Sequence, residues 1–423
     1  MRILFLHQNF PGQYKHLAPA LASQGHEVMA LCDDGFAARA QGLFPSVKVI
    51  GYPSPQAPDA GTHRYLLDMT WAIRRGQAVV RVLLQLKTQS WFPDVIYAHT
   101  GWGEALFVKD VFPDVPLVGY FEYYYRTQGA DLGFDPEFPV DLDVVLRCKV
   151  KNAVNLLSME ACDFGVTPLR WQAANYPTWF QGKLQVIHEG IDTDALQPKR
   201  FDTLNLPGFS GIDLSNTPVI TFVNRNFEPT RGFHIMMRSL AHLQALVPQA
   251  HVIMVGGDKL SYGLAHESGK TYREMLTAEL GASVNWTRVH FVGDLPYEQF
   301  IGMLQLATVH VYLSIPFVLS WSLLEAMAVG KAIVASNSMP VPEVLEHEKT
   351  ALLTPFLEPQ ALAQNIARLV SNPSLRASLG QAARQHAVDE FDLRRVTLPK
   401  HLAMLAAIEK NKLAGALAKI GNF

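Results

Sequence analysis

The chain has little charge. Only 17% of its 423 residues are Asp, Glu, Lys or Arg, against roughly 25% in an average soluble domain. The 36 basic and 38 acidic residues leave a net charge of -2. No cationic excess is present to hold a phosphate backbone, so nucleic acid is not expected as a partner. The three cysteines, Cys32, Cys148 and Cys162, lie far apart, which excludes a disulfide framework and a Cys-x-x-Cys metal site and fits a reducing, cytoplasmic setting. Long apolar runs are missing too. Nothing reaches the ~18 residues of a membrane span, and the run before His7 is too short for a signal-peptide core. No His-x-x-x-His pair occurs, and the only Asp-x-Asp pairs are Asp141-Leu-Asp143 and Asp192-Thr-Asp194. Neither stands in a loop after a strand, so no metal is expected.

What is abundant is apolar sequence, 49% of the chain. It falls into short continuous runs separated by helical spacing, the pattern of parallel strands covered on both faces. Ile3–Leu6, then Asn9-Phe-Pro-Gly12, then a helix ending at Gly25, then Glu27–Leu31 make one strand–helix–strand unit. Further strands are read at 95–99, 116–121, 164–167 and 185–188, with one helix over 141–161. Residues 198–217, broken by Pro198, Pro207, Gly208 and Gly211, read as a linker. A second series follows, with strands at 219–223, 251–255, 289–292, 309–313 and 332–335. The fold class is therefore α/β, with two open Rossmann-like domains: 1–197, completed by a helix over 396–423, and 218–395. Ligands of such sheets bind at the carboxyl ends of the strands, which places a site in a cleft between the domains.

The densest chemistry lies in Ser314-Ile-Pro-Phe-Val-Leu-Ser-Trp-Ser-Leu-Leu-Glu325, a strand end, a loop and a helix start. Its amides suit a phosphate. Glu325, read in the first turn, is either a helix-dipole glutamate or an acceptor for two ribose hydroxyls. Arg225 and Arg231 follow a strand and offer forked donors to phosphate oxygens. Gly12 permits close backbone approach, and His99 ends an apolar strand.

Taken in order, these segments resemble the retaining glycosyltransferases of family 4, which have the GT-B fold of two facing Rossmann-like domains. The segments are Asn9-Phe-Pro-Gly-Gln13, Pro93-Asp-Val-Ile-Tyr-Ala-His99, Val186-Ile-His-Glu-Gly-Ile-Asp-Thr-Asp194, Asn224-Arg-Asn-Phe-Glu-Pro-Thr-Arg-Gly232, Phe291-Val-Gly-Asp294 and the 314–336 stretch. The resemblance implies a hexosyltransferase without cofactor or metal, its donor a nucleotide sugar, UDP-glucose first and GDP-mannose second. It implies catalytic roles for His99, Arg225 and Arg231. It implies donor contacts for Gly12, Arg225, Arg231, Val292, Phe317, Glu325 and the backbone amides of Leu319 and Ser320. Glu189 stands where the family has asparagine, and Phe317 where it has the first of two glutamates. The latter difference sets a rival reading, a catalytically silent partner subunit of the same fold; another GT-B activity, such as sugar-nucleotide epimerisation, is the rival among enzymes.

The acceptor, a glycan or lipid-linked sugar, is expected near the aromatic segment 121–134, at Glu122, Tyr123 and Asp131. Arg64, Arg74, Arg75, Arg81 and Lys87 lie among leucines and valines, either as a solvated helix face or as a peripheral contact with an anionic inner membrane face.

Overall fold

The computed structural model describes residues 1–199, 206–207, 209, 217–263, 266 and 268–420, with side chains up to 410. Most of the linker assigned to 198–217 therefore lies outside the described residues. The chain forms two compact units. One comprises Met1–Thr127, Val140–Gly190 and Leu393–Phe423; the other comprises Gln128–Pro139 and Ile191–Asp392. The segment Gln128–Pro139, placed by sequence in the N-terminal domain, clusters with the second unit. Phe134 and Phe138 pack on that unit's core, and Asp135 accepts a hydrogen bond from His234 Nε2 at 2.8 Å.

The first unit holds seven strands: β1 (Arg2–Leu6), β2 (Glu27–Asp33), β3 (Lys48–Tyr52), β4 (Val95–His99), β5 (Leu117–Tyr120), β6 (Phe164–Thr167) and β7 (Leu184–Val186). They pair in the order β3-β2-β1-β4-β5-β6-β7, every pair parallel. Ile3, Leu4, Phe5 and Leu6 are all fully buried, because helices cover both faces of a parallel sheet. The helix Leu398–Ile420 belongs to this unit, and its Met404, Leu405 and Ile408 complete the core around Ile3 and Phe5. The helix read over 141–161 is two helices, Leu142–Lys151 and Ala153–Ala161. They part at Asn152, whose amide bonds both the N–H and the carbonyl of Tyr125. β3 escaped sequence reading because Lys48-Val-Ile-Gly-Tyr52 is largely half-exposed and lacks a continuous apolar signal.

The second unit holds β8 (Val219–Asn226), β9 (His251–Gly257), β10 (Val289–Gly293), β11 (Val309–Tyr312), β12 (Ile333–Ser336) and β13 (Leu352–Thr354), in the order β10-β9-β8-β11-β12-β13. All pairs are again parallel. In each sheet the strand order reverses beside its first strand, between β1 and β4 in one and between β8 and β11 in the other. A crevice opens at such a reversal, outside the carboxyl ends of the strands. His7 and His99 stand at the first crevice, and Arg231 and Ser314 at the second.

Burial also fixes an acid sensitivity. His7 and His310 are almost completely buried. Desolvation, aided for His7 by the nearby His99 and opposed by its bond to Gln13, lowers each from the usual 6.5 to about 3. The unfolded chain thus takes up protons below pH 6.5 that the folded chain refuses until about pH 3, so stability falls as pH drops through that window. Each histidine should cost about 2 kcal/mol at pH 5 relative to pH 8. Urea unfolding midpoints at the two pH values measure the loss, and His310→Gln should reduce it.

Candidate functional site

In the first unit, two histidines and a carboxylate are joined by the loop after β1. His7 Nδ1 accepts the Asn9 N–H at 3.2 Å, so the proton sits on Nε2, which donates to Gln13 Oε1 at 2.7 Å. Gln13 Nε2 in turn donates to Glu122 Oε1 at 2.9 Å. The other Glu122 oxygen lies 3.6 Å from His99 Nε2. His99 Nδ1 accepts the Gly101 N–H at 3.1 Å, which again puts the proton on Nε2. That N–H is buried without a hydrogen-bond partner, a donor held ready for an incoming hydroxyl. The His99 ring stacks on Trp102, with centroids 3.9 Å apart and planes at 10°.

Gly12 has φ +45°, and a β-carbon there would lie 2.1 Å from His7 Nε2. Glycine at this position lets the loop close over the histidine. The structure thus gathers Gly12, His99 and Glu122, and adds His7 and Gln13, which sequence reasoning left unassigned. Gln13 was visible inside the Asn9–Gln13 motif; its partner lies 109 residues away, and no local pattern announces it. Tyr123 is buried, with ring contacts to Tyr125 and Trp171. Asp131 is half-buried and falls in the second unit's segment, apart in the chain's division from Glu122 and Tyr123.

Of the basic residues at 64–87, Arg64, Arg74, Arg75 and Lys87 have partners within the protein, and Arg81 is exposed. Arg75 donates to Trp102 O at 2.7 Å and faces the buried Glu104 at 3.9 Å. Arg74 pairs with Asp59, Lys87 with Val111 O, and Arg64 with Asp143. Desolvation raises the Glu104 carboxyl above its usual range, and Arg75 partly offsets this.

At the join of the units' sequences, Glu189 is buried between Tyr120, whose hydroxyl it accepts, and His188 Nε2 at 3.3 Å. The family's asparagine position is thus filled by a carboxylate with its own partners.

In the second unit, Arg231 is only 7% exposed. Its Nη1 donates to Ser314 Oγ at 3.0 Å and Tyr312 Oη at 3.4 Å. Phe317 lies 5.3 Å and Tyr262 5.6 Å from its guanidinium carbon. Gly232, at φ +67°, starts the helix Phe233–Leu246, and a β-carbon there would strike Leu313 at 2.4 Å. Arg225, by contrast, is exposed near the end of β8. Val292 is buried in β10.

Two expectations require correction. Glu325 is not in the first turn of its helix: Trp321–Ala328 starts at Ser320, and Glu325 falls in the second turn. Its burial and its bond from the Tyr297 hydroxyl, at 3.0 Å, replace any capping role. The Ser320 amide is already taken, donating to Tyr312 Oη at 2.8 Å, while the Ser320 hydroxyl caps the Ser322 N–H. Leu319 is buried beside it. Tyr297, read only as a helix residue, is a site neighbour; burial, then the Glu325 charge, raises its hydroxyl pKa above the usual 10.

Of the described residues, Asp135, Glu137 and His234 come close enough to share a cation. Asp135 bonds His234, and Arg238 grips Glu137 with both terminal nitrogens at 2.5 and 2.9 Å. Internal partners thus satisfy that cluster.

Replacing Glu325 with Gln keeps the shape and removes the charge. The resemblance implies that this carboxylate accepts ribose hydroxyls; charge-assisted bonds contribute about 1.5–3 kcal/mol, so on that expectation UDP affinity should fall by roughly tenfold or more. Tyr297→Phe removes one donor to that carboxylate but leaves its charge in place for the ligand, so it should shift affinity by less than about fivefold. Calorimetric titration of UDP into both variants measures this.

Comparison with known proteins follows the two-unit division. Residues 24–196 match the model described as glycosyl transferase family 4 group, and residues 211–386 match that of glycosyl transferases group 1. A glycogen synthase of Mycobacterium tuberculosis is 24% identical over 96% of this chain and 95% of its own length. An alpha-maltose-1-phosphate synthase of Mycolicibacterium smegmatis is 29% identical, over 51% of this chain and 55% of that protein. Among solved structures, Anabaena Alr3699/HepE in complex with UDP shares the fold at TM-score 0.67, 20% identity and 96% coverage of this chain, with all of that chain covered. Sucrose-phosphate synthase from Thermosynechococcus elongatus does so at TM-score 0.72 and 18% identity, over 97% of this chain and all of its own.

Proposed function

The chain belongs to the GT-B glycosyltransferases of the family 4, group 1 type, enzymes of the hexosyltransferase class, and from that premise we propose that it moves a hexose, with retention, from a nucleotide sugar to a glycan or lipid-linked acceptor. UDP-glucose is the first donor and GDP-mannose the second. The observation that carries this reading is the buried, aromatic-flanked Arg231 at the β8–β11 reversal. A guanidinium held there stabilises the charge that grows on a leaving diphosphate, and Arg225 adds a second, exposed cation. Glu325 accepts the ribose hydroxyls. In the first unit the His99 Nε2–H donates to a hydroxyl of the sugar, while Glu122 offers a carboxylate oxygen to the acceptor.

The front-face course that the family resemblance implies has the leaving phosphate take the acceptor's proton. No protein nucleophile is then needed, and Phe317, which has no oxygen, is compatible with it. The two arginines supply the cationic work, so turnover is expected to need no metal. Among the described residues no helix is long and apolar enough to cross a membrane. With Arg74, Arg75 and Lys87 engaged internally, contact with a membrane face is left to the exposed Arg81 and its surroundings.

A donor panel decides the matter. Release of UDP or GDP is followed with and without candidate acceptors, in EDTA. Turnover of one donor, enhanced by an acceptor, supports the proposal. Donor binding without release across the panel would instead support the silent-subunit reading.

A further inference from the structure

Glu228 is 1% exposed, and a carboxylate that deep needs several donors. It finds them in three successive amides. Ser261 N–H donates to Oε2 at 3.3 Å, Tyr262 N–H at 3.1 Å and Gly263 N–H at 2.8 Å. Consecutive amides converging on one point form an anion-binding nest, and here the anion is part of the protein. Asn226 reinforces the attachment: its Nδ2 donates to Ser261 Oγ at 2.6 Å, and its Oδ1 accepts the Lys259 N–H at 3.1 Å. The loop after β9 is thereby tied to the loop after β8.

The tie has a directed consequence. The residue at its centre, Tyr262, places its ring 5.6 Å from the Arg231 guanidinium and 5.0 Å, edge to face, from Phe317. Phe317 lies 5.3 Å from the same guanidinium. The side chain of Tyr262 is otherwise 47% exposed, so its backbone is what fixes it.

We propose that Glu228 is a positioning residue: by gathering the amides of residues 261–263 it sets the Tyr262 ring against Phe317, so that the two rings together form an aromatic shelf on one side of Arg231 that aims its guanidinium at the diphosphate of the donor. This rests on the donor reading given above. It assigns Phe317 a task that a glutamate at that position would not perform, since a carboxylate beside Arg231 would compete with phosphate for the guanidinium. A guanidinium backed by aromatic rings on one side and held through Nη1 by Ser314 and Tyr312 has already lost rotamer freedom, so less is lost when phosphate arrives.

The test uses the full chain and calorimetric or competition titration of UDP and uridine, or of GDP and guanosine where the panel selects guanine. Glu228→Gln keeps one acceptor oxygen for the three amides but removes the charge and sets an NH2 against the Tyr262 N–H that also bonds Oε1, and should weaken diphosphate binding by about tenfold, with nucleoside binding within about twofold of wild type. Because a buried variant can lose its fold, Tyr262→Ala, which truncates a half-exposed ring, provides a second reading. It should give the same diphosphate-selective loss, and Tyr262→Phe should restore wild-type affinity. Unchanged diphosphate affinity in Glu228→Gln or Tyr262→Ala, or equal losses for nucleotide and nucleoside, would overturn the inference while leaving the donor reading in place. A wild-type chain that binds no nucleoside diphosphate would overturn the donor reading and this inference with it.

Discussion

Arg231→Ala should lower kcat/KM by roughly two to three orders of magnitude. A buried guanidinium makes charge-assisted, forked bonds to phosphate, and each is worth about 1.5–3 kcal/mol. Two such bonds, about 3–6 kcal/mol together, span about a hundredfold to more than ten-thousandfold, and the lower half of that range is expected because part of their strength is already present in the ground state. Arg231→Lys retains the charge and loses the fork, so it should recover only part of the loss. Arg225→Ala, at an exposed position, should cost much less, because water screens the interaction it supplies. Nucleotide release from the preferred donor measures all three. A loss below fivefold in Arg231→Ala, or a larger loss in Arg225→Ala, would reverse the ranking.

Gly12→Ala should damage both stability and catalysis. The new methyl would lie 2.1 Å from His7 Nε2 and 2.2 Å from Cε1, at a backbone φ of +45°. His7 has little room to retreat, being 1% exposed and held by Asn9 and Gln13. Overpacking of this kind costs about 1–3 kcal/mol, and the left-handed backbone adds about 1 kcal/mol for a residue with a β-carbon. A melting-temperature drop of roughly 5–10 °C is expected, using about 2–4 °C per kcal/mol for a unit of this size. Displacing His7 also unseats Gln13 and lets Glu122 swing from His99. Turnover should therefore fall at temperatures where the variant remains folded. Thermal melting and nucleotide release, measured on one preparation, separate the two effects. His7→Gln without the methyl should reproduce the catalytic loss with a smaller change in melting temperature.

The residues proposed for the donor side could be picked out in the sequence because they are contiguous. The Asn224–Gly232 segment carries Arg231 and the glycine that lets its helix begin, and the 314–336 stretch carries Phe317 and Glu325 on one loop and helix. Strands such as Ile3–Leu6 and Val95–His99 were legible because burial on both faces leaves them uniformly apolar. What was not legible depends on distant pairs. Gln13 meets Glu122, Glu228 meets residues 261–263, and Asn152 meets Tyr125; each partner is an ordinary polar residue until the fold brings the two together. The second-turn position of Glu325 and the occupied amide of Ser320 were hidden for a different reason. Sequence pattern locates a helix start only to within a residue or two, and both assignments depended on that residue.

The interleaved composition of the two units sets the order in which the chain can mature during synthesis. Residues 128–139 leave the ribosome before most of the unit they complete, so Phe134 and Phe138 emerge with no core to join until β8 to β13 follow. The first unit waits longer still, since Met404, Leu405 and Ile408 close its core over Ile3 and Phe5. Its sheet can assemble early, with Tyr14, Leu17 and Leu21 on one side, but that side is completed only when residues 404–408 have been translated. Chains ending before residue 398 would keep the apolar surface that Met404, Leu405 and Ile408 cover exposed to solvent, the condition that favours aggregation.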